Sequence, residues 1–170
     1  VSGLENQRIE GKTQFIGSGL FYKAVEHEGN SNLSLEEINE VEKIVKELTK
    51  GDVYWYDEEN NKHVIKHEDI KIITPYNSNV FEMQKRIPNV SIGTVDKFQG
   101  QEAQVIIYSL ASSSPEDAPR GMEFLYSPNR LNVAVSRARV IFIMVGNPKI
   151  FEPDCKSPAQ IKLANPFCRF

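Results

Sequence analysis

Gly93-Thr94-Val95-Asp96-Lys97-Phe98-Gln99-Gly100-Gln101-Glu102 is followed, after Ala103 and Gln104, by the apolar run Val105-Ile106-Ile107-Tyr108-Ser109-Leu110-Ala111. The same construction recurs further along. There Asn129-Arg130-Leu131-Asn132-Val133-Ala134-Val135-Ser136-Arg137-Ala138-Arg139 leads into Val140-Ile141-Phe142-Ile143-Met144-Val145. Each polar signature is set against a run of strand length and β-branched character, the pattern of a strand buried on both faces. Such runs alternate here with helical or loop segments, which predicts an α/β fold: a parallel sheet covered by helices.

Working outward, residues 90–94 begin a further strand, and residues 70–74 form a short apolar run that ends in Thr74-Pro75-Tyr76-Asn77. A buried strand gives way to a loop at its carboxyl end in this manner. Ser78 is placed to cap a helix whose inner face is Val80, Met83 and Ile87 and which Pro88 closes. Upstream, Ser34-Leu35-Glu36-Glu37 has the form of a capping box. Ile38, Val41, Ile44, Val45 and Leu48 then fall on one helical face, with the charges mainly on the other, and Gly51 stops the helix.

Residues 52–69 read as a polar, hairpin-like insertion containing Tyr54, Trp55 and Tyr56. Those aromatics either stack on a base or cover the edge of the sheet. Residues 20–25 have strand character, and the polar run at 27–32 is a turn or loop. Residues 1–19 are polar with scattered glycine and no period, and are assigned as a lead-in segment or the cut edge of a longer chain, leaving 20–170 as the folded domain. Gly11-Lys12-Thr13 imitates the end of a phosphate-binding P-loop. That motif needs a glycine where Asn6 stands and an apolar strand before it, so the match is a coincidence, and no other P-loop is present in the chain.

Composition sets limits on all of this. At 170 residues and 40% hydrophobic, the chain is the size of one domain with a single substantial core. No apolar run approaches the roughly 20 residues of a membrane span, and Val1-Ser2-Gly3-Leu4-Glu5 is not a signal peptide, so a reducing, cytoplasmic setting is expected. Cys155 and Cys168 lack metal-ligand spacing and are expected to be free thiols, and no metal site is expected.

The net charge of -3 argues against a freestanding grip on nucleic acid driven by phosphate neutralisation. The charge is unevenly spread, however. Residues 1–70 carry 8 Lys and Arg against 15 Asp and Glu, whereas residues 71–170 carry 12 against 8. Arg130, Arg137, Arg139 and Lys149 follow one another with no acidic residue between them. The asymmetry is either ordinary surface variation or an edge that faces phosphates, and the acidic stretch 34–69 is either a docking face or a solvated one.

Ligands of open parallel sheets gather outside the carboxyl ends of the strands, and the clusters at 74–77, 94–102 and 109–114 are predicted to lie at or beside such ends. Thr94, Asp96, Gln99, Gly100 and Glu102 combine hydroxyl, carboxylate and amide groups around a glycine that admits close approach to the backbone. In the second cluster Pro128 starts a helix on which Arg130, Ala134, Arg137 and Ala138 share one face. A guanidinium held among small residues suits either bidentate phosphate recognition or an ordinary salt bridge.

Thr74-Pro75-Tyr76, Gly93-Thr94-Val95-Asp96-Lys97-Phe98-Gln99-Gly100-Gln101-Glu102 and Arg130-Leu131-Asn132-Val133-Ala134-Val135-Ser136-Arg137-Ala138 together resemble motifs IV, V and VI of the superfamily 1B helicases, in the family's order and spacing. The likeness runs from about Leu20 to the C-terminus. It is nearest to bacterial proteins that pair a RecB-like nuclease domain with the helicase. It implies a RecA-like fold of the P-loop NTPase type, forming the second lobe of an ATP-dependent motor that moves 5′→3′ on single-stranded DNA or RNA, without a P-loop of its own.

Carried over by that resemblance, Arg137 is the arginine finger. Gln99, Gly100, Glu102 and Arg130 lie on the nucleotide side, with Arg130 and Asn132 supporting the finger helix. Thr74, Pro75, Tyr76, Asn77 and Thr94 touch the moving strand. ATP and Mg²⁺ would be held mainly by an N-terminal RecA-like lobe of the same full-length protein, whose motifs I to III this chain does not contain. The chain alone is therefore expected to be inactive. Asn79 stands where the family usually has glutamine. Two rival readings are a non-catalytic nucleic-acid- or protein-binding module on the same fold, and an unrelated Rossmann-like enzyme, for which the chain offers neither Gly-x-Gly-x-x-Gly nor a catalytic dyad.

Overall fold

The computed structural model describes residues 4–153 and 155–168, with the backbone alone described for Leu4, Leu163 and residues 166–168. Val1, Ser2, Gly3 and the Cys168 side chain therefore lie outside the described residues, and Cys155 is a free thiol. In chain order the elements are β1 (Arg8–Gly11), β2 (Gly19–Ala24), α1 (Leu35–Leu48), β3 (Val53–Tyr56), β4 (Lys62–Val64), β5 (Ile70–Ile73) and α2 (Asn77–Arg86). There follow β6 (Ser91–Gly93), β7 (Ala103–Ser109), α3 (Gly121–Leu125), α4 (Pro128–Ser136), β8 (Ala138–Gly146) and α5 (Pro158–Cys168).

Five strands form a parallel sheet in the order β2-β8-β7-β5-β6. The two apolar runs are its centre. Val105 and Ile107 of β7, with Ile141, Ile143 and Val145 of β8, pack on one side against Ile38, Val41, Ile44, Val45 and Leu48 of α1 and Val80 and Met83 of α2. Ile106 and Tyr108 of β7 and Phe142 and Met144 of β8 point the other way, toward Leu131 and Ala134 of α4. The period-2 alternation of a strand sends consecutive apolar residues to opposite cores, which is why these runs show no polar alternation. Each such side chain, once fully buried, contributes about 1.5–3 kcal/mol.

The hairpin at 52–69 is present, and it belongs to a second, antiparallel sheet of order β1-β3-β4. Residues 8–17 are thus more ordered than a lead-in of their composition predicts. Ile9 pairs with Trp55 in the register, bridges back to Gly17, and is fully buried together with Val53. Phe15 is also buried and meets Phe21 edge-on at 5.6 Å. Two isolated apolar side chains carry no period, yet each fills a place in the α1-side core. Gly11 lies in β1 and Thr13 donates to Glu47 Oε1 at 2.8 Å, with no helix following, so this glycine-lysine-threonine run is not a phosphate cradle.

Three local expectations are corrected. Ser78 does not cap α2: the helix begins at Asn77 after Tyr76 with no side-chain cap, and Ser78 Oγ accepts from Asn32 Nδ2 at 3.2 Å. Only half of the capping box forms on α1. Ser34 Oγ accepts from the Glu37 N–H at 3.2 Å, whereas the Ser34 N–H goes to Asn79 Oδ1 at 3.2 Å and the Glu37 side chain turns inward. The segment 94–102 is not confined to carboxyl ends. Thr94 leaves β6 at its carboxyl end, but Glu102 enters β7 at its amino end, because a strand parallel to its neighbour obliges the connection to cross the sheet face. Among the described residues no helix is long and apolar enough to cross a membrane.

Candidate phosphate-facing cleft

Crossing the face beside α4, the segment 95–99 creates a cleft of about 280 Å³ lined by Asp96, Gln99, Asn129, Arg130, Val133 and Arg137. The sequence makes α4 rigid at both ends. Ser127 accepts from the Arg130 N–H at 3.4 Å and Pro128 occupies the first turn, where its missing N–H costs nothing. Leu131 and Ala134 are buried on the sheet side, which leaves Arg130 and Val133 facing the cleft.

The helix ends at Ser136, and Arg137 is its C-cap rather than a member of its continuing face. Ala134 is fully buried and Ala138 is the first residue of β8, so the face proposed from helical spacing is corrected: Val133, not Ala134 or Ala138, shares the cleft with Arg130 and Arg137. The helical period stops at Ser136, before Arg137 and Ala138 are reached. The Arg137 N–H bonds the Ala134 carbonyl, its own carbonyl accepts from the Ala103 N–H at 2.9 Å, and its Nε donates to the Val133 carbonyl at 3.3 Å. The backbone and the base of the guanidinium are fixed. Neither Arg130 nor Arg137 has a carboxylate partner among the described residues.

Of the residues predicted for the nucleotide side, Gln99, Arg130 and Arg137 are brought together in this cleft. Gly100 follows Gln99 in a turn at φ +78°, a conformation that favours glycine. Glu102 is turned away to Arg139, Oε2 to Nε 2.9 Å, in a pair whose members are 47% and 55% exposed. Exposed pairs of this kind contribute about 0–1 kcal/mol, so the carboxylate is released at little cost. Asn132 is exposed.

The strand-side group divides differently. Thr74, Pro75 and Tyr76 are buried, Thr94 is half-buried and Asn77 is exposed, so within residues 74–77 only Asn77 offers its side chain to solvent. Thr74 Oγ1 accepts from Asn79 Nδ2 at 3.0 Å, and the Tyr76 hydroxyl accepts from Ser112 Oγ at 3.3 Å. Burial holds the Tyr76 hydroxyl above the ordinary tyrosine range. Asn79, which stands where glutamine was expected, is fully buried and spans Ser34, Thr74 and Ser109.

Sequence reasoning missed two groups. Glu37 is fully buried with His27: Glu37 Oε1 lies 2.8 Å from His27 Nε2, and Oε2 accepts from Ser109 Oγ at 2.5 Å and from the Ala111 N–H at 2.9 Å. A signal existed, since Glu37 falls four residues before Val41 and shares its apolar arc. The second group is Phe124, whose ring carries the guanidiniums of Arg120 at 4.0 Å and Arg130 at 4.3 Å. Among the described residues no set of three or more His, Cys, Asp or Glu is arranged to hold a metal ion.

A five-stranded parallel sheet with helices on both faces defines a RecA-like α/β domain. A family profile described as AAA domain matches residues 7–149, and the chain belongs to that family. It is 37% identical over 133 residues to a regulator of nonsense transcripts 1 homolog of Drosophila melanogaster, covering 72% of this chain and 10% of that protein. The corresponding figures for the homolog of Neurospora crassa are 32% over 145 residues, 78% and 12%. RNA helicase Mov10l1 of Mus musculus is 35% identical over 98 residues, covering 53% of this chain and 8% of that protein. These relatives place the chain among superfamily 1 helicase domains, and it spans about a tenth of their length.

Proposed function

We propose that this chain is the second RecA-like lobe of an ATP-dependent helicase that moves 5′→3′ on single-stranded DNA or RNA, with Arg137 as the arginine finger. The observation that carries the reading is the fixed, carboxylate-free guanidinium of Arg137 at a cleft shared with Gln99 and Arg130. A finger of this kind stabilises charge that develops on the transferred phosphoryl group, and is worth roughly a thousand-fold or more in turnover. Gln99, Gly100 and Glu102 line the nucleotide side, with Glu102 recruited from its exposed pair with Arg139. Asn77 and Thr94 contact the strand, while Thr74, Pro75 and Tyr76 hold that loop in shape.

ATP fits the residues present on one side only. Arg130 and Arg137, which have no carboxylate partner among the described residues, suit its phosphates, and on the motor reading Mg²⁺ and the phosphate cradle belong to an N-terminal RecA-like lobe of the full-length protein. The isolated chain is on this reading inactive. Relatives named as RNA helicases make RNA a strand to test beside DNA. Reading the same frame upstream tests the missing lobe and the RecB-like nuclease domain of the bacterial type.

The deciding experiment is strand-stimulated ATP hydrolysis by the full-length protein, wild type against Arg137→Ala. Loss of most stimulated turnover with nucleotide binding retained supports the finger. Unchanged turnover, or no hydrolysis by wild type, sinks the motor reading and leaves a binding module on the same fold.

A further inference from the structure

The Phe124 ring and the two guanidiniums on it lie at the edge of the 74–77 loop. The Arg120 and Arg130 carbons stand 4.0 and 4.3 Å from the ring centroid, which keeps the two charges within about 8 Å of each other. Neither has an acidic partner among the described residues. The ring itself packs against Tyr76 with centroids 5.6 Å apart. Two like charges gathered on one aromatic ring repel each other, and the arrangement lacks the anion that would offset them.

Position decides which anion. Arg137, the C-cap of α4, lies seven residues beyond Arg130, about 10 Å further along the helix axis at a rise of about 1.5 Å per residue. That displacement runs toward the amino ends of β7 and β8, where the Arg137 carbonyl meets the Ala103 N–H. Tyr76, by contrast, follows the carboxyl end of β5, and Arg120 is near enough to act on its hydroxyl. Arg120 is therefore beside the loop that presents Asn77, and is absent from the lining of the Arg137 cleft.

From this geometry we infer that Arg120, seated on Phe124, is a phosphate-binding residue that takes a phosphodiester of the single strand as it passes the 74–77 loop. The inference rests on the motor reading above. Phe124 acts as a positioning residue: its ring holds both guanidiniums, so that the strand-side cation and the cleft-side Arg130 are carried by one rigid support. A planar guanidinium serves this purpose better than an ammonium, since it lies flat on the ring while its edge donates to phosphate oxygens.

The test is binding of a labelled 20-nucleotide oligo(dT) or oligo(U) to the full-length protein by fluorescence anisotropy across a salt series, together with the KM for ATP. Arg120→Ala is expected to weaken strand binding about ten-fold and to flatten the log-affinity against log-salt slope by about 0.7, one phosphate contact. KM for ATP should stay within about two-fold, and Arg120→Lys should recover the slope but only part of the affinity. Phe124→Leu, which keeps the apolar volume and removes the ring, should lower affinity less than Arg120→Ala does. Unchanged affinity and slope in Arg120→Ala, with wild type binding normally, overturns this inference alone. An effect confined to KM for ATP overturns it in favour of a nucleotide phosphate. A wild-type protein that binds neither strand overturns the motor reading as well.

Discussion

The Glu37 carboxylate accepts a hydrogen bond from the backbone N–H of Ala111, 74 residues further along the chain, at 2.9 Å, and it holds Ala111 in the left-handed region at φ +67°. The same carboxylate takes Ser109 Oγ and faces His27, whose other ring nitrogen lies 2.6 Å from Ser113 Oγ. A side chain from the first turn of α1 thus fixes the chain where it leaves β7. In an open α/β sheet that exit is a place where ligands gather, and here it is filled by the protein's own polar groups.

Removing Glu37 should therefore cost more than its single residue suggests. In Glu37→Ala the Ala111 N–H and the Nε2 side of the His27 ring are left buried and unpaired, at about 1–3 kcal/mol for each group. A loss of about 3 kcal/mol in urea unfolding is expected, a large part of an ordinary domain's 5–15 kcal/mol. Glu37→Gln keeps the volume and one acceptor and should lose less. A Glu37→Ala protein within about 0.5 kcal/mol of wild type would show that the network is not structural.

Ala111 offers the opposite sign. The left-handed region costs an L-residue about 1–2 kcal/mol, which glycine does not incur, while glycine adds about 0.5–1 kcal/mol of unfolded-chain entropy. Ala111→Gly should thus raise stability slightly, by less than about 1 kcal/mol, as read by a higher denaturant midpoint with an unchanged slope. A clear drop would mean that the methyl group contributes packing that outweighs its strain.

Asn79 separates this chain from the glutamine its motif resemblance predicts. Its amide is satisfied on both ends, by the Ser34 N–H at one and by Thr74 and Ser109 at the other, in a fully buried place. Asn79→Gln inserts a methylene there and should cost about 1–3 kcal/mol by overpacking. Restoring the family's residue is thus expected to lower the melting temperature. A thermal shift upward would indicate that the site tolerates the longer amide.

The core of the sheet was legible because β7 and β8 announce themselves: unbroken β-branched runs bounded by polar signatures admit few other structures. The α1 face was legible from its period. What escaped was whatever depends on partners far apart in sequence. Ile9 and Phe15 carry no period, so their burial could not be read from the polar segment around them. Ser34 and Glu37 satisfy the capping pattern, but Asn79, Ser109 and Ala111 compete for them from elsewhere and win. The cleft followed the same rule. Gln99, Arg130 and Arg137 were found by motif, whereas Arg120 and Phe124 became visible only when α3 was folded against Tyr76.

Asp57 gives a pH prediction with a definite sign. The His63 ring beside it, with the Asn61 and Glu59 amides, draws its pKa down from an ordinary 3.8 to about 2 and ties β3 to β4. A depressed folded pKa means stabilisation that is present above pH 4 and is lost as pH falls through about 2. The β3–β4 hairpin should accordingly gain hydrogen-exchange mobility between about pH 4 and 2, relative to the five-stranded sheet. Asp57→Asn should abolish that pH dependence. Equal exchange across the window in wild type would remove the role assigned to Asp57.

Arg137→Lys tests the finger more sharply than truncation does, because it keeps the charge and changes only its shape. Lysine lacks the Nε that bonds the Val133 carbonyl and the planar fork that meets two phosphate oxygens at once. If the residue acts merely as a positive charge at the mouth of the cleft, lysine should sustain most of the turnover of the full-length protein. If it acts as a fixed fork, turnover should fall by about a hundred-fold or more while nucleotide affinity changes by less than about three-fold, since the guanidinium is needed most when charge develops on the oxygens of the transferred phosphoryl group. A hundred-fold corresponds to about 2.7 kcal/mol of transition-state stabilisation, near the difference between a two-point and a one-point charged hydrogen bond. The expected outcome is the second, measured as kcat and KM for strand-stimulated ATP hydrolysis. Preserved kcat in Arg137→Lys would leave Arg137 an electrostatic neighbour of the site rather than a participant in it.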